Sequence, residues 1–233
     1  MKSQNITRRA LCTLGTLAGA LLASRSIGAQ GPATRPGRQR RAPPQFHNEH
    51  FYREGKFQEE AAKDAYFDLC HYFGYPLYET VRKNLFVTDF GLGRFTEVGL
   101  GAVVWMNEKQ ANYASLEVFL LPHQVIPEHW HVAIEAEGVA PKMESWTVRY
   151  GATFAYGEGE PTSRLSVTLH EKEKPFLTVM HETPLRPGEV TGIRKPLEKH
   201  WQQAGPEGCI LTETSTYHTP AAVRFTNPAI KFG

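Results

Sequence analysis

Two histidines separated by one residue, His129 and His131 in Pro127-Glu128-His129-Trp130-His131, are the part of this 233-residue chain best suited to chemistry. In an extended segment side chains alternate with period two, so both imidazoles leave the backbone on one face and can reach a single cation. Further on, Lys142-Met143-Glu144-Ser145-Trp146 repeats the spacing, and Lys142 shares a face with Glu144 for the same reason. Imidazole suits Zn2+, Fe2+, Ni2+ and Cu2+, and an added carboxylate moves the preference toward Fe2+ or Mn2+. A His-x-His pair, a carboxylate and a later histidine would therefore hold a divalent metal. The contrary reading is a pair of ordinary loop histidines, and other elements must supply the remaining ligands to exclude it.

Those elements come from the rest of the chain. After Leu85, β-prone runs at 101–106, 115–121, 145–150, 153–156, 165–169, 176–179 and 209–216 alternate with glycine-rich turns. Short strands at close spacing point to an antiparallel sandwich or barrel with the metal motif on its strands. Pro187-Gly188-Glu189 and Gly205-Pro206-Glu207-Gly208 read as hairpin turns. Ahead of the strands, Phe57, Ala61, Ala65, Leu69 and Phe73, with Ala62 and Tyr66 alongside, predict an amphipathic helix over 57–73. Gly74-Tyr75-Pro76 stops it, because proline cannot continue the hydrogen-bond ladder. A second short helix is predicted over 79–84, and both are expected to cap the main sheet.

The N-terminus has a different texture. Arg8-Arg9 precedes an uncharged stretch over 10–23, followed by Arg25 and the small residues Gly28-Ala29. That stretch falls short of the ~20 residues that span a bilayer and fits a signal h-region. Twin arginines at this place resemble a Tat-type signal peptide over 1–29, a route that exports folded proteins to the periplasm. An uncleaved membrane anchor is the alternative; after cleavage no stable membrane insertion is expected. Residues 30–48 read as a flexible basic Pro/Gly linker and 49–233 as one domain, with a helical cap over 49–84 and a barrel over 85–233. Without the signal and linker, 18 basic and 24 acidic residues remain, a net charge of −6 and the wrong sign for a nucleic-acid binder. Cys70 and Cys209 are too few for a disulfide framework and read as buried free thiols.

A barrel carrying His-x-His, then Glu, then a later His resembles the cupin superfamily. On that resemblance the later histidine is His200, one strand-length past the Leu185-Arg186-Pro187-Gly188-Glu189 turn, ahead of its rivals His123, His170 and His181. A longer pattern is more specific. The Pro127 to His131 run, Lys142-Met143-Glu144, Thr212-Glu213-Thr214-Ser215-Thr216, Arg224-Phe225-Thr226-Asn227-Pro228 and the stretch 83–91 resemble the D-lyxose isomerase family of cupins. This resemblance implies that His129, His131, Glu144 and His200 hold the metal, that Lys142 contacts the sugar, and that Glu213 is the catalytic acid/base. It also implies Mn2+ (Fe2+, Co2+ or Zn2+ as alternatives), a free sugar of the D-lyxose/D-xylulose or D-mannose/D-fructose type, and a homodimer. Two departures stand out. Family members commonly place Lys and Glu a few residues past the second His, whereas here 132–141 intervene and contain Glu135 and Glu137, rivals of Glu144. A carboxylate expected just before the terminal Arg-Phe is replaced by Ala221-Ala222-Val223, which shifts proton transfer to Glu213 alone or to His218.

Aldose–ketose interconversion moves a proton between C1 and C2 through an enediol, or moves a hydride directly, and either route needs a Lewis acid on the adjacent oxygens. Strand alternation puts Glu213, Ser215 and Tyr217 on one face, and a carboxylate facing a barrel interior is costly unless paired or functional. Lys142 is placed to meet an enediolate oxygen. Trp130, Arg149 and His218 complete the expected substrate contacts, with Trp146, Tyr150 and Tyr156 as further candidates for a sugar-binding floor; Arg149 could instead be buried in an ion pair. No phosphate-binding Gly-rich loop or arginine cluster is present in the motifs, which favours an unphosphorylated substrate. Two other functions use the same ligands. An Fe-dependent cupin oxidoreductase or dioxygenase would leave Lys142 and Glu213 without roles, and a sugar-binding cupin would lack catalysis.

Overall fold

The computed structural model describes residues 42–232, so the signal segment predicted over 1–29 and the linker through 41 lie outside the described residues. A small hairpin, β1 (Tyr52–Arg53) and β2 (Lys56–Phe57), leads into α1 (Glu59–Phe73) and α2 (Glu79–Asn84). Helix α1 buries Ala62, Ala65, Tyr66, Leu69 and Cys70, the i, i+3, i+4, i+7 and i+8 positions of one apolar stripe. That stripe packs with Val103, Phe119, Leu121 and Ile210, so the helix covers an outer sheet face, as the expected cap does.

The sheet contains β3 (Phe86–Thr88), β4 (Leu100–Glu108), β5 (Tyr113–Leu120), β6 (Val125–His131), β7 (Glu144–Gly157), β8 (His181–Leu185), β9 (Val190–Gly192), β10 (His200–Ser215) and β11 (Val223–Phe225). Its organising pair is β7 and β10, which run antiparallel from Trp201 opposite Tyr156 to Ser215 opposite Glu144, with a register break between Ala204 and Cys209. On its other edge β10 pairs with β6 through 200–203 and with β5 through 209–215. The β7/β10 pair thus serves two half-sheets, β3-β4-β5-β10-β7-β9 and β11-β6-β10-β7-β8, and the sheet curls where they meet. Gly151 and Gly208 occupy that corner with φ of 71° and 80°. A Cβ on Gly151 would stand 2.0 Å from the Gly208 carbonyl oxygen, so the two backbones approach there only because neither carries a side chain. The architecture is the expected mainly β, cupin-type antiparallel sheet with N-terminal helices on its outside.

Several predicted elements differ in detail. Gly205-Pro206-Glu207-Gly208 is not a hairpin turn but the bend inside β10, and the runs 145–150 and 153–156 are the two arms of β7. Segments 165–169 and 176–179 are not strands. Leu165, Val167, Leu169, Leu177 and Val179 instead pack on Trp201 and Tyr156. A buried ion pair between Arg94 and Glu173, joined by Asn227 at 3.1 Å, pins this covering segment. Alternation of apolar residues signals one covered face, whereas a ladder needs a free partner edge, and the available edge of β7 is taken by β8.

Candidate metal centre and active site

Strand β6 divides its motif between two environments. His129 and His131 face the interior of the curl, where His129 lies across the ladder from His200 on β10. The His129 and His200 rings are 4.1 Å apart, and the His131 and His200 rings 5.5 Å. Glu144, the first residue of β7, brings Oε1 to 2.6 Å from His200 Nε2, 3.1 Å from His131 Nε2 and 3.9 Å from His129 Nε2. Donor atoms of all four residues lie within 4.8 Å of one another.

The far nitrogens set the tautomers. His129 Nδ1 donates to the Pro127 carbonyl at 2.8 Å, and His200 Nδ1 donates to the Glu198 carbonyl at 2.9 Å. Their Nε2 lone pairs are thereby turned toward the Glu144 carboxylate, and His200 Nε2 is buried without a hydrogen-bond donor among the described residues. Lone pairs facing a carboxylate repel unless a cation stands between them, and imidazoles held by backbone carbonyls are the usual form of metal-ligating histidine. Burial, reinforced by the charges of His200 and His131, holds His129 well below its ordinary pKa and so in the neutral, ligating form. Burial alone would raise the Glu144 carboxyl, but Lys142, His131 and His200 outweigh it and hold Glu144 well below the usual carboxylate range. Three imidazoles and one ionised carboxylate fit a divalent metal.

The rival ligands are elsewhere. Glu135 and Glu137 are exposed on a short 3-10 turn, with Glu137 3.6 Å from Lys109. His123 is exposed, His170 bonds the His123 carbonyl at 2.8 Å, and His181 bonds the Glu160 carbonyl at 2.9 Å.

Beside the four ligands, the buried ammonium of Lys142 touches both Glu144 and Glu213. Burial disfavours its charge, but the two carboxylates more than compensate and raise its pKa. Glu213 is raised as well: burial leads, Glu144 adds to it, and Lys142 only partly opposes. A carboxyl group raised in this way is a better proton acceptor than an ordinary carboxylate. A cavity of about 80 Å³ opens at this point, with Lys142, Glu213, Gln202 and His218 as its polar walls and Phe86, Phe90, Phe225 and Phe232 among its apolar ones. Val223 opposes His131 on β6 and lines the cavity where the missing carboxylate was expected.

Two expected substrate contacts are not in this cavity. Arg149 is exposed on the outer face, where its Nε donates to Thr212 Oγ1 at 2.7 Å, and it is neither buried nor ion-paired. Trp130 points away from His129, with Lys199 Nζ 5.1 Å from its ring centre. Tyr150 packs against Phe73 and Tyr75, and Tyr156 stacks on Trp201 at 3.7 Å, which leaves Trp146 as the candidate aromatic that lines the site. The cause is strand alternation, which sends Trp130 and Arg149 to the opposite face from His129, His131 and Trp146. Gln202 was missed although it follows His200 by two residues, the spacing that predicts a shared face. The phenylalanines come from segments far apart in sequence, and no local pattern marks them.

No protein-family model matches the sequence. The D-lyxose ketol-isomerase of Cohnella laeviribosi is 35% identical over 170 residues, covering 73% of this chain and 91% of that protein. The D-lyxose/D-mannose isomerase of Thermosediminibacter oceani is 37% identical over 150 residues, covering 64% of this chain and 80% of its own length. Among solved structures, L-ribose isomerase of Cellulomonas parahominis superposes with a TM-score of 0.56 at 15% identity, over 73% of this chain and 92% of that one. That likeness is one of fold.

Proposed function

The chain belongs to the D-lyxose ketol-isomerase family, and we propose that it converts a free aldose of the D-lyxose or D-mannose type into its 2-ketose with a divalent metal, Mn2+ by preference. Supporting this most directly is the buried Lys142 ammonium, which ties the metal-facing Glu144 to Glu213 at the cavity wall. A bound cation held by His129, His131, Glu144 and His200 would supply Lewis acidity to the two oxygens at C1 and C2. Glu213 removes the proton from C2 and returns it to C1, while the O2 hydroxyl proton passes to O1, using a carboxyl that burial has already tuned toward accepting the C2 proton. Lys142 stands ready to donate to the oxygen that gains negative charge. The apolar walls keep bulk water from the exposed carbanion-like carbon. An iron oxidoreductase would leave the Lys142–Glu213 contact idle, and oxygen uptake under Fe2+ would be needed to revive it.

The test is ketose formation from D-lyxose and D-mannose, followed by cysteine-carbazole. Chelation should abolish the product and Mn2+ should restore it. Turnover that survives full chelation would remove the metal from the scheme; absence of ketose from every free aldose after metal is restored would end the isomerase assignment.

Export belongs to the same proposal. Mn2+ binds weakly compared with Cu2+ or Zn2+, and a Tat route carries the protein across already folded, so the metal can be loaded first. Arg8-Arg9 and the uncharged stretch behind them support this. Zinc or copper in the exported protein would contradict it. A homodimer is supported by Val104, Trp105 and Met106, which are exposed on β4, and a monomer by light scattering would exclude it.

A further inference from the structure

The loop that follows β10 forms part of the cavity wall, and the β4–β5 hairpin holds it in place. Asn107 Nδ2 donates to the His218 carbonyl at 2.8 Å, and the His218 N–H donates to Asn107 Oδ1 at 2.9 Å. One side-chain amide therefore satisfies both backbone groups of a residue that lies outside any ladder. The same hairpin adds a second contact, from the Tyr217 N–H to Asn112 Oδ1 at 3.2 Å. So clasped, His218 lines the cavity with its ring 6.5 Å from that of His131. Its Nδ1 is buried and has no hydrogen-bond partner among the described residues, a costly state for a polar atom in a finished core.

We propose that Asn107 and His218 form a unit that positions the sugar: Asn107 fixes the His218 backbone, and the His218 imidazole hydrogen-bonds a substrate hydroxyl beside the metal centre. This rests on the isomerase assignment above. An Asn clasp fits this task because the loop has no strand partner there; Asn107 supplies the pair of hydrogen bonds that a ladder would otherwise supply.

The test uses the full chain loaded with Mn2+ and two probes: D-lyxose turnover, and calorimetric binding of D-arabitol, which carries the hydroxyls of D-lyxose without a carbonyl to isomerise. His218→Phe keeps a ring and removes both nitrogens. It should raise KM for D-lyxose by about 3- to 10-fold, the factor for one lost hydrogen bond between uncharged groups, and weaken D-arabitol similarly. His218→Gln should recover part of the loss. Asn107→Ala should shift KM in the same direction, and the double variant should be no worse than His218→Phe alone, as expected of residues acting through one another. An unchanged KM and D-arabitol affinity in His218→Phe would overturn the proposal, as would multiplicative effects in the double variant. If Asn107→Ala lacks a cooperative melt, the contrast between His218→Phe and His218→Gln decides alone. Should the wild type form no ketose, the isomerase assignment falls, yet D-arabitol still judges the unit: weaker binding by His218→Phe supports it, and equal or absent binding in both refutes it.

Discussion

Two buried carboxylates lie on opposite sides of β6, and the chain treats them in opposite ways. Glu128 accepts hydrogen bonds from the Thr178 N–H and hydroxyl, from the Val179 N–H at 2.9 Å and from Thr226 Oγ1 at 2.5 Å, with Lys199 Nζ at 3.4 Å. Each of its oxygens is engaged by the protein itself. Glu144 turns Oε1 toward three imidazole Nε2 atoms, two of which cannot donate because their rings already donate from Nδ1. A carboxylate whose oxygens are all met by donors completes a fold, whereas one whose Oε1 faces imidazole lone pairs, with Lys142 only on Oε2, marks a place for a cation. The same five-residue motif supplies residues to both environments, because alternate side chains leave a strand in opposite directions.

The comparison can be broken most sharply from the inner side. His200→Ala removes one metal ligand together with the closest approach to Glu144, and it should lose both metal after dialysis and turnover; retention of metal would show that the four residues are not the site. Glu213→Gln should lower kcat by about 10²–10⁴-fold, the usual worth of a positioned acid/base, and leave metal content unchanged. Unchanged turnover would exclude Glu213 as the base.

On the outer side the losses should fall on stability instead. Glu128→Gln keeps the shape but removes the charge that strengthens four hydrogen bonds, and denaturant melts should show a loss of about 1–3 kcal/mol with the metal retained. Burial would raise the Glu128 pKa, but its hydrogen bonds from Thr178, Thr226 and Val179 hold it below the ordinary 4.5. Because the folded value is depressed, this stabilisation is present above pH 4.5 and is lost as pH falls through the folded value. Wild-type stability should therefore decline more steeply below pH 4.5 than that of Glu128→Gln. Smallest of all, Arg149→Ala on the exposed face should leave kcat/KM within about twofold and stability within about 0.5 kcal/mol.

Much of this was legible in local spacing. The stripe through Ala61, Ala65, Leu69 and Phe73, with Ala62 and Tyr66 alongside, announced which face of α1 is buried, and His129 with His131 announced a shared face. The same rule, carried through consistently, also assigns Trp130 and Arg149 to the outside. Other features had no local signature. The run 165–169 alternates like a strand yet serves as a cover, because alternation reports burial and says nothing about whether a hydrogen-bonding edge remains free. Asn107 belongs to a hairpin far from His218 in sequence, and only the folded chain brings their amide groups together.

Period-two spacing thus decided which side chains travel together, since that depends only on the geometry of an extended backbone. Which groups of side chains meet was decided by the corner at Gly151 and Gly208, which folds β7 and β10 across the curl. Antiparallel pairing of 144–147 with 212–215 then brings Glu213 to Lys142 across 71 residues, and the folded site takes Glu144 rather than Glu135 or Glu137. A metal centre assembled from separate strands is a property of that curvature, and curvature comes from long-range pairing that no window of sequence contains.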